Sequence, residues 1–152
     1  MRRQTMTLAQ FERYVGELPD ELEAAVKRGL RNAARRGAAI VREEIRDAKL
    51  EDTGALLESV RARGAEIEVD APHAPHMEYG TKPHMPPVSP LFLWVMRKGL
   101  AASETEGRRV AWRIAKGIAK RGTKPRWYFR KAMVRIRTQI VPEEVQKEVQ
   151  KI

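Results

Sequence analysis

Cysteine is absent from this 152-residue chain, which removes disulfides, thiolate metal sites and a cysteine nucleophile together. A reducing cytosol fits such a chain. Aromatic residues are also sparse, three each of Trp, Tyr and Phe. Long apolar runs are missing as well. The strongest is Leu91-Phe92-Leu93-Trp94-Val95-Met96, far short of the roughly 20 residues a bilayer-spanning helix needs, so no membrane partner is expected. The start, Met1-Arg2-Arg3-Gln4-Thr5, is basic, but no apolar stretch follows it, and no export signal is read there. No Walker-type loop, GxGxxG or HExxH occurs, so no cofactor is implied.

What the chain has in excess is positive charge, +10 in all. Residues 97–137 hold 14 Lys/Arg against two acids, Glu104 and Glu106. The basicity therefore belongs to one segment. Arg108, Arg109, Arg113, Lys116, Lys120, Arg121, Lys124 and Arg126 are the candidates for contact with a polyanion or with an acidic partner surface. Trp112, Trp127, Tyr128 and Phe129 lie among them, although helical spacing turns Trp112 and Phe129 toward the core. No DNA-reading motif accompanies them. A nonspecific nucleic-acid-binding module is the alternative function that this segment supports.

The length suits one domain over 1–152, of α+β class, with a long N-terminal amphipathic helix packed on a small antiparallel sheet and further C-terminal helices. Thr7 caps a short helix over 7–15, punctuated by Gly16 and Pro19. The main helix spans 20–48. Leu22, Val26, Leu30, Ala33, Gly37, Ile40, Val41, Ile45 and Ala48 form its stripe, and Arg28, Arg31, Arg35, Arg36 and Arg42 lie mostly off it. Asp52-Thr53-Gly54 breaks it. Residues 55–85 form a strand and loop region, with strands expected at 56–63 and 65–70 around Gly64. Residues 86–121 form a helical insertion, with helices at 90–99 and 103–120. Ser103 and Glu106 make a capping-box pattern for the second, and Val110, Ile114, Ile118 and Trp112 supply its apolar side. In the C-terminal segment, 122–152, an apolar pattern runs through Phe129, Met133, Ile136 and Ile140, and Pro142 opens a final short helix. Gly80-Thr81-Lys82-Pro83 recurs as Gly122-Thr123-Lys124-Pro125. The flanks differ, and both copies read as sharp turns that leave a lysine exposed.

Two constellations touch chemistry. Asp52-Thr53-Gly54-Ala55 matches the short signature of retroviral-type aspartic proteases, but a charged helix precedes it where that chemistry needs an apolar strand. A helix-to-strand turn is the better reading. His73, His76, His84 and Glu78 crowd one loop region. Proline-broken loops do not fix metal ligands on one face, so loop histidines able to make a contact pH-sensitive are favoured over a metal site. No enzymatic signature remains.

The order of these pieces resembles the tail-component family of long-tailed double-stranded DNA phages and prophages. Three family segments carry the resemblance. Thr53, Gly54, Leu56, Ser59 and Val60 match its "TG-x-L-x-x-S-I/V" segment, and Glu78, Gly80 and Thr81 match its "Y-A-x-x-x-E-x-G-T" segment. Pro125, Phe129 and Ala132 are similar to its "P-F-x-x-x-A" segment, with Trp127-Tyr128 inserted. His73-Ala74 replaces the usual Tyr-Ala, and 86–121 is a section only longer members carry. The resemblance covers roughly 20–140. It implies a non-enzymatic virion protein, assembled in the bacterial host cytoplasm, that completes or joins the tail at the head–tail interface. It implies a ring of copies of this chain, stacked on connector and tail-tube or tail-terminator proteins, with DNA passing through the lumen. Thr53, Gly54, Ser59, Glu78, Tyr79, Gly80 and Thr81 would be its assembly-interface residues, with Glu78 pairing with an arginine of this chain or a neighbour.

Overall fold

The computed structural model describes residues 7–16 and 19–152; the basic start Met1–Thr5 lies outside them. The fold is α+β. Helix α1 (Leu8–Gly16) is capped reciprocally: Gln10 N–H donates to Thr7 Oγ1 (3.3 Å) and Thr7 N–H to Gln10 Oε1 (2.9 Å).

Helix α2 (Asp20–Asp47) is about 42 Å long at 1.5 Å per residue. Asp20, Glu21 and Glu23 in its first turn suit the positive end of its dipole. It ends in a Schellman turn. Lys49 takes φ 54°, Leu50 N–H reaches back to Ile45 O (3.1 Å), and Leu50 packs on the core. The buried stripe is wider than large apolar residues alone suggest, because Ala25, Gly29, Ala34 and Ala38 join Val26, Ala33, Gly37, Ile40, Val41 and Ile45.

Two elements cover that stripe. One is the hairpin of β1 (Val60–Arg63) and β2 (Glu66–Val69), antiparallel, with Val60 opposite Val69 and Arg63 opposite Glu66. A lone hairpin is marginal in water, and α2 supplies its support; at Gly37 a β-carbon would meet Ile67 Cδ1 at 2.6 Å. Residues 56–58, expected as strand, instead lie in a helical turn, α3 (Ala55–Glu58). Ser59 holds that turn by donating its hydroxyl to Leu56 O at 2.7 Å, so the strand starts only at Val60.

The other cover is the C-terminal helix, which runs antiparallel to α2. It comprises α7 (Tyr128–Arg135), a π-helical turn (Ile136–Ile140) and α8 (Val141–Val149), without interruption. Pro142 therefore does not open a separate helix. Proline has no N–H and its ring would collide with the carbonyl four residues back; the wider turn just upstream absorbs that conflict. Gly29 lets the pair approach closely, since a β-carbon there would lie 2.6 Å from Val145 Cα.

An ionic seam flanks this contact. Arg28 donates to Glu148 (3.1 Å), Asn32 to the same carboxylate (3.3 Å), and Arg36 to Glu144 and Glu143. Hydrogen bonds from Arg36 and Lys147 hold the Glu144 carboxyl below the ordinary glutamate range; those from Lys151 and Arg28 do the same for Glu148. A carboxyl depressed in the fold contributes stability above its unfolded pKa, about 4.3, and loses it as pH falls through the folded value. Melting temperature should thus hold from neutrality to about pH 5 and fall below about pH 4. In thermal scans, Glu144→Gln with Glu148→Gln should lower the pH 7 value and flatten the acid arm. An unchanged acid arm would remove this seam from the account of stability.

The insertion is a second helical unit. Helix α5 (Val88–Arg97) packs on α6 (Glu104–Arg121) with Val95, Gly107, Ala111 and Ala115 buried. A β-carbon at Gly107 would lie 2.6 Å from Met96 Sδ. Ser103 Oγ accepts from Glu106 N–H (3.2 Å), and Glu106 reaches one residue further back than in the usual box, to Ala102 N–H (2.8 Å). Trp112, expected in the core, is 50% exposed, because the close approach selects the small Gly107-Ala111-Ala115 edge and leaves Trp112 outside it. The main apolar cluster takes no residue from α5 or α6. Among the described residues no helix is long and apolar enough to cross a membrane.

Candidate functional site

The second and third of the segments that carry the resemblance meet around the first turn of α7, and the first shares the apolar cluster beneath them. Trp127, at its N-cap position, takes φ 54° and offers no side-chain cap. The missing acceptor comes from helix α4 (Ala74–Tyr79), about fifty residues earlier. Glu78 is buried there, and its carboxylate accepts from Phe129 N–H (2.8 Å, Oε2) and Arg130 N–H (3.0 Å, Oε1). The expected pairing of Glu78 with an arginine is corrected: two backbone donors at the positive end of a helix satisfy it instead. Backbone bonds continue the junction, from Arg126 N–H to Met77 O (3.0 Å) and from Trp127 N–H to Glu78 O (3.2 Å).

Tyr128 follows, fully buried, with its hydroxyl 3.4 Å from Ala74 O. Burial, with Glu78 nearby, pushes its phenol up to about 12. Leu56 and Val60 of the first segment share one apolar cluster with Tyr128 and Ala132 of the third.

Both copies of Gly-Thr-Lys-Pro lie against each other. Gly80 ends α4 at φ 71°, ψ −175°, and Gly122 ends α6 at φ 70°, ψ −162°. Between them Thr81 and Thr123 form an antiparallel bridge, each N–H donating to the other's carbonyl at 3.1 Å, with the two hydroxyls 2.9 Å apart. Lys82 and Lys124 are exposed, as expected of these turns. The repeat thus has a structural use that its differing flanks conceal: it closes the base of the α5–α6 hairpin. A second tie is the two-pronged bond of Arg97 to Asp52 (3.0 and 2.5 Å), joined by Lys98 Nζ to Glu51 O (2.6 Å). Arg97 holds the Asp52 carboxyl below the usual aspartate range. In this chain, then, the Asp52-Thr53-Gly54 signature is a turn whose aspartate is engaged in a structural ion pair.

Among the seven motif residues expected at an assembly interface, Ser59 and Glu78 are buried and bonded within the chain, so they build the fold. Gly80 presses on the partner turn, Gly54 and Thr81 are half-buried, and Thr53 is exposed. Tyr79 stands 69% exposed, edge-on to Trp127 at 5.7 Å, with Arg130 over the Trp127 ring at 5.3 Å. That aromatic pair was not singled out by spacing, because its halves are nearly fifty residues apart.

His73, His76 and His84 do not converge. His76 and His84 are exposed, and His84 Nδ1 lies 2.9 Å from Lys82 O. Among the described residues no group of three His, Asp or Glu is placed to hold a metal. Of the basic candidates, Arg108, Arg109, Arg113, Lys116, Lys120 and Arg121 lie exposed on α6, and Lys124 and Arg126 lie beside the paired turns. Comparison with known proteins finds no matching family model, curated protein or solved structure.

Proposed function

We propose that this chain is a non-enzymatic virion protein of a tailed phage or prophage that completes or joins the tail at the head–tail interface by assembling into a ring. One observation supports this reading above the others: the three segments resembling the tail-component family form one unit, with Glu78 of the second capping the helix that opens the third, and Leu56 and Val60 of the first packed in the same cluster. Within that unit the buried members hold the fold, while Thr53, Tyr79 and Trp127 leave polar and aromatic surface for a neighbouring subunit. Aromatic anchors of this kind dominate protein interfaces. The partners are further copies of this chain and the adjoining connector and tail-tube or tail-terminator proteins.

The test is reconstitution. Purified chain mixed with portal-bearing heads, connector and tails should co-sediment with the joined particle and appear as a ring in negative stain. Tyr79→Ala should reduce incorporation while leaving the melting temperature of the free chain nearly unchanged, because its side chain is mostly in solvent. A chain that stays free in the presence of every neck component would end this reading.

A further inference from the structure

Several cations of the body sit in ion pairs, as does Arg97 of α5 with Asp52, whereas those along α6 do not. In the body, Arg28, Arg36, Arg135, Lys147 and Lys151 each meet a glutamate. On α6, Arg108, Arg109, Arg113, Lys116, Lys120 and Arg121 meet no carboxylate within ion-pair distance among the described residues. The hairpin has only two acids, Glu104 and Glu106, both at the start of α6. Unpaired like charges repel one another, and an anion docked along them would relieve that repulsion.

Their arrangement adds shape to charge. Thr105, Arg108, Arg109, Trp112, Arg113 and Lys116 line an open groove of about 520 Å³ along α6. Trp112 sits within it, half in solvent, with Arg108 and Lys116 one turn away on either side. Arg108 is steadied by the Phe92 ring at 5.3 Å. Cations spaced along a helix match a chain of phosphates. An exposed indole among them matches an unpaired base, whose flat face needs no sequence-specific partner. An acidic protein surface would use the same cations and bury the indole in an apolar pocket; only stacking on an unpaired base predicts that the indole favours single strands over duplex.

We propose that this α6 face binds nucleic acid, with Arg109, Arg113 and Lys116 on the phosphates and Trp112 stacked on an unpaired base. The inference does not depend on the ring reading, since it concerns a surface outside the three motif segments.

The test uses the full chain and fluorescently labelled DNA, one arm single-stranded and one arm duplex, each about 20 residues long. Three phosphate contacts predict a roughly 20- to 40-fold loss of affinity between about 50 and 200 mM salt. The pair Arg109→Glu with Arg113→Glu should weaken both arms at least about tenfold and reduce the salt slope by about two. Trp112→Ala should weaken the single strand about fivefold or more and leave the duplex within about twofold. These positions are exposed, so thermal melts of the variants should match the wild type. Reversal at Arg61 and Arg63 on β1, equal in charge, should have a much smaller effect. Four results would overturn the proposal: no binding at low salt, unchanged affinity in the α6 reversal, equal loss in the β1 reversal, or an unmoved single-strand affinity in Trp112→Ala. Polyglutamate binding more tightly than DNA of equal charge would overturn it in favour of an acidic protein partner.

Discussion

Gly122→Ala should lower stability by about 3 kcal/mol or more, a fall of about 6–12 °C in melting temperature for a domain of this size. Two costs combine. At φ 70°, ψ −162° the backbone occupies a region essentially reserved for glycine, worth about 1–3 kcal/mol to any other residue. A β-carbon would also stand 1.9 Å from Thr81 O and 2.8 Å from Lys82 C, both backbone atoms that cannot swing aside. Gly80→Ala should behave alike, since its β-carbon would meet Thr123 O at 2.3 Å. The informative measurement is the double variant. Each glycine presses on the other's turn, so opening the junction once relieves the second substitution, and the pair should cost clearly less than the sum. Hydrogen exchange should show faster loss of protection at the Thr81 and Thr123 amides than at Val41. Additive effects in denaturant titrations would mean that the two turns do not act on each other.

Much of this architecture is legible in the residue pattern because it follows local rules. Helix α2 announces itself by three- and four-residue apolar steps, β2 by alternation, and α6 by Ser103. The failures have a common cause, in that they concern residues whose partner is distant or whose smallness matters. Spacing ranks Trp112 above Gly107, Ala111 and Ala115, yet close helix packing selects the small residues and expels the large one. Pro142 reads as a helix start only until a π-helical turn is allowed for. The twin turns are visible as a repeated tetrapeptide, while their bridge is not, because nothing local to either copy specifies the other. Glu78 looks like a surface acid in a loop, and its two donors lie on a helix that has not yet begun.

Glu78 is accordingly where the second large effect is expected. Glu78→Ala would leave the part-buried Phe129 and Arg130 amides without their acceptor, because Trp127 provides no cap of its own. Each hydrogen bond to a charged acceptor contributes about 1.5–3 kcal/mol, and orphaning a buried donor costs about 1–3 kcal/mol. The two bonds share one carboxylate and are not independent, which puts the expected loss at about 3–4 kcal/mol. Glu78→Gln separates the contributions. Its amide keeps one acceptor oxygen, turns a donor toward the other N–H and removes the charge that complements the helix dipole, so it should recover only a minority of the loss. Glu78→Asp keeps both oxygens but is one methylene too short to reach, and should fall between the two. Because α7 continues into the helix that covers α2, the deficit should appear as loss of global stability in denaturant titrations, not as local fraying alone. An alanine variant within about 1 kcal/mol of wild type would show that water reaches these amides and that the carboxylate is dispensable to the fold.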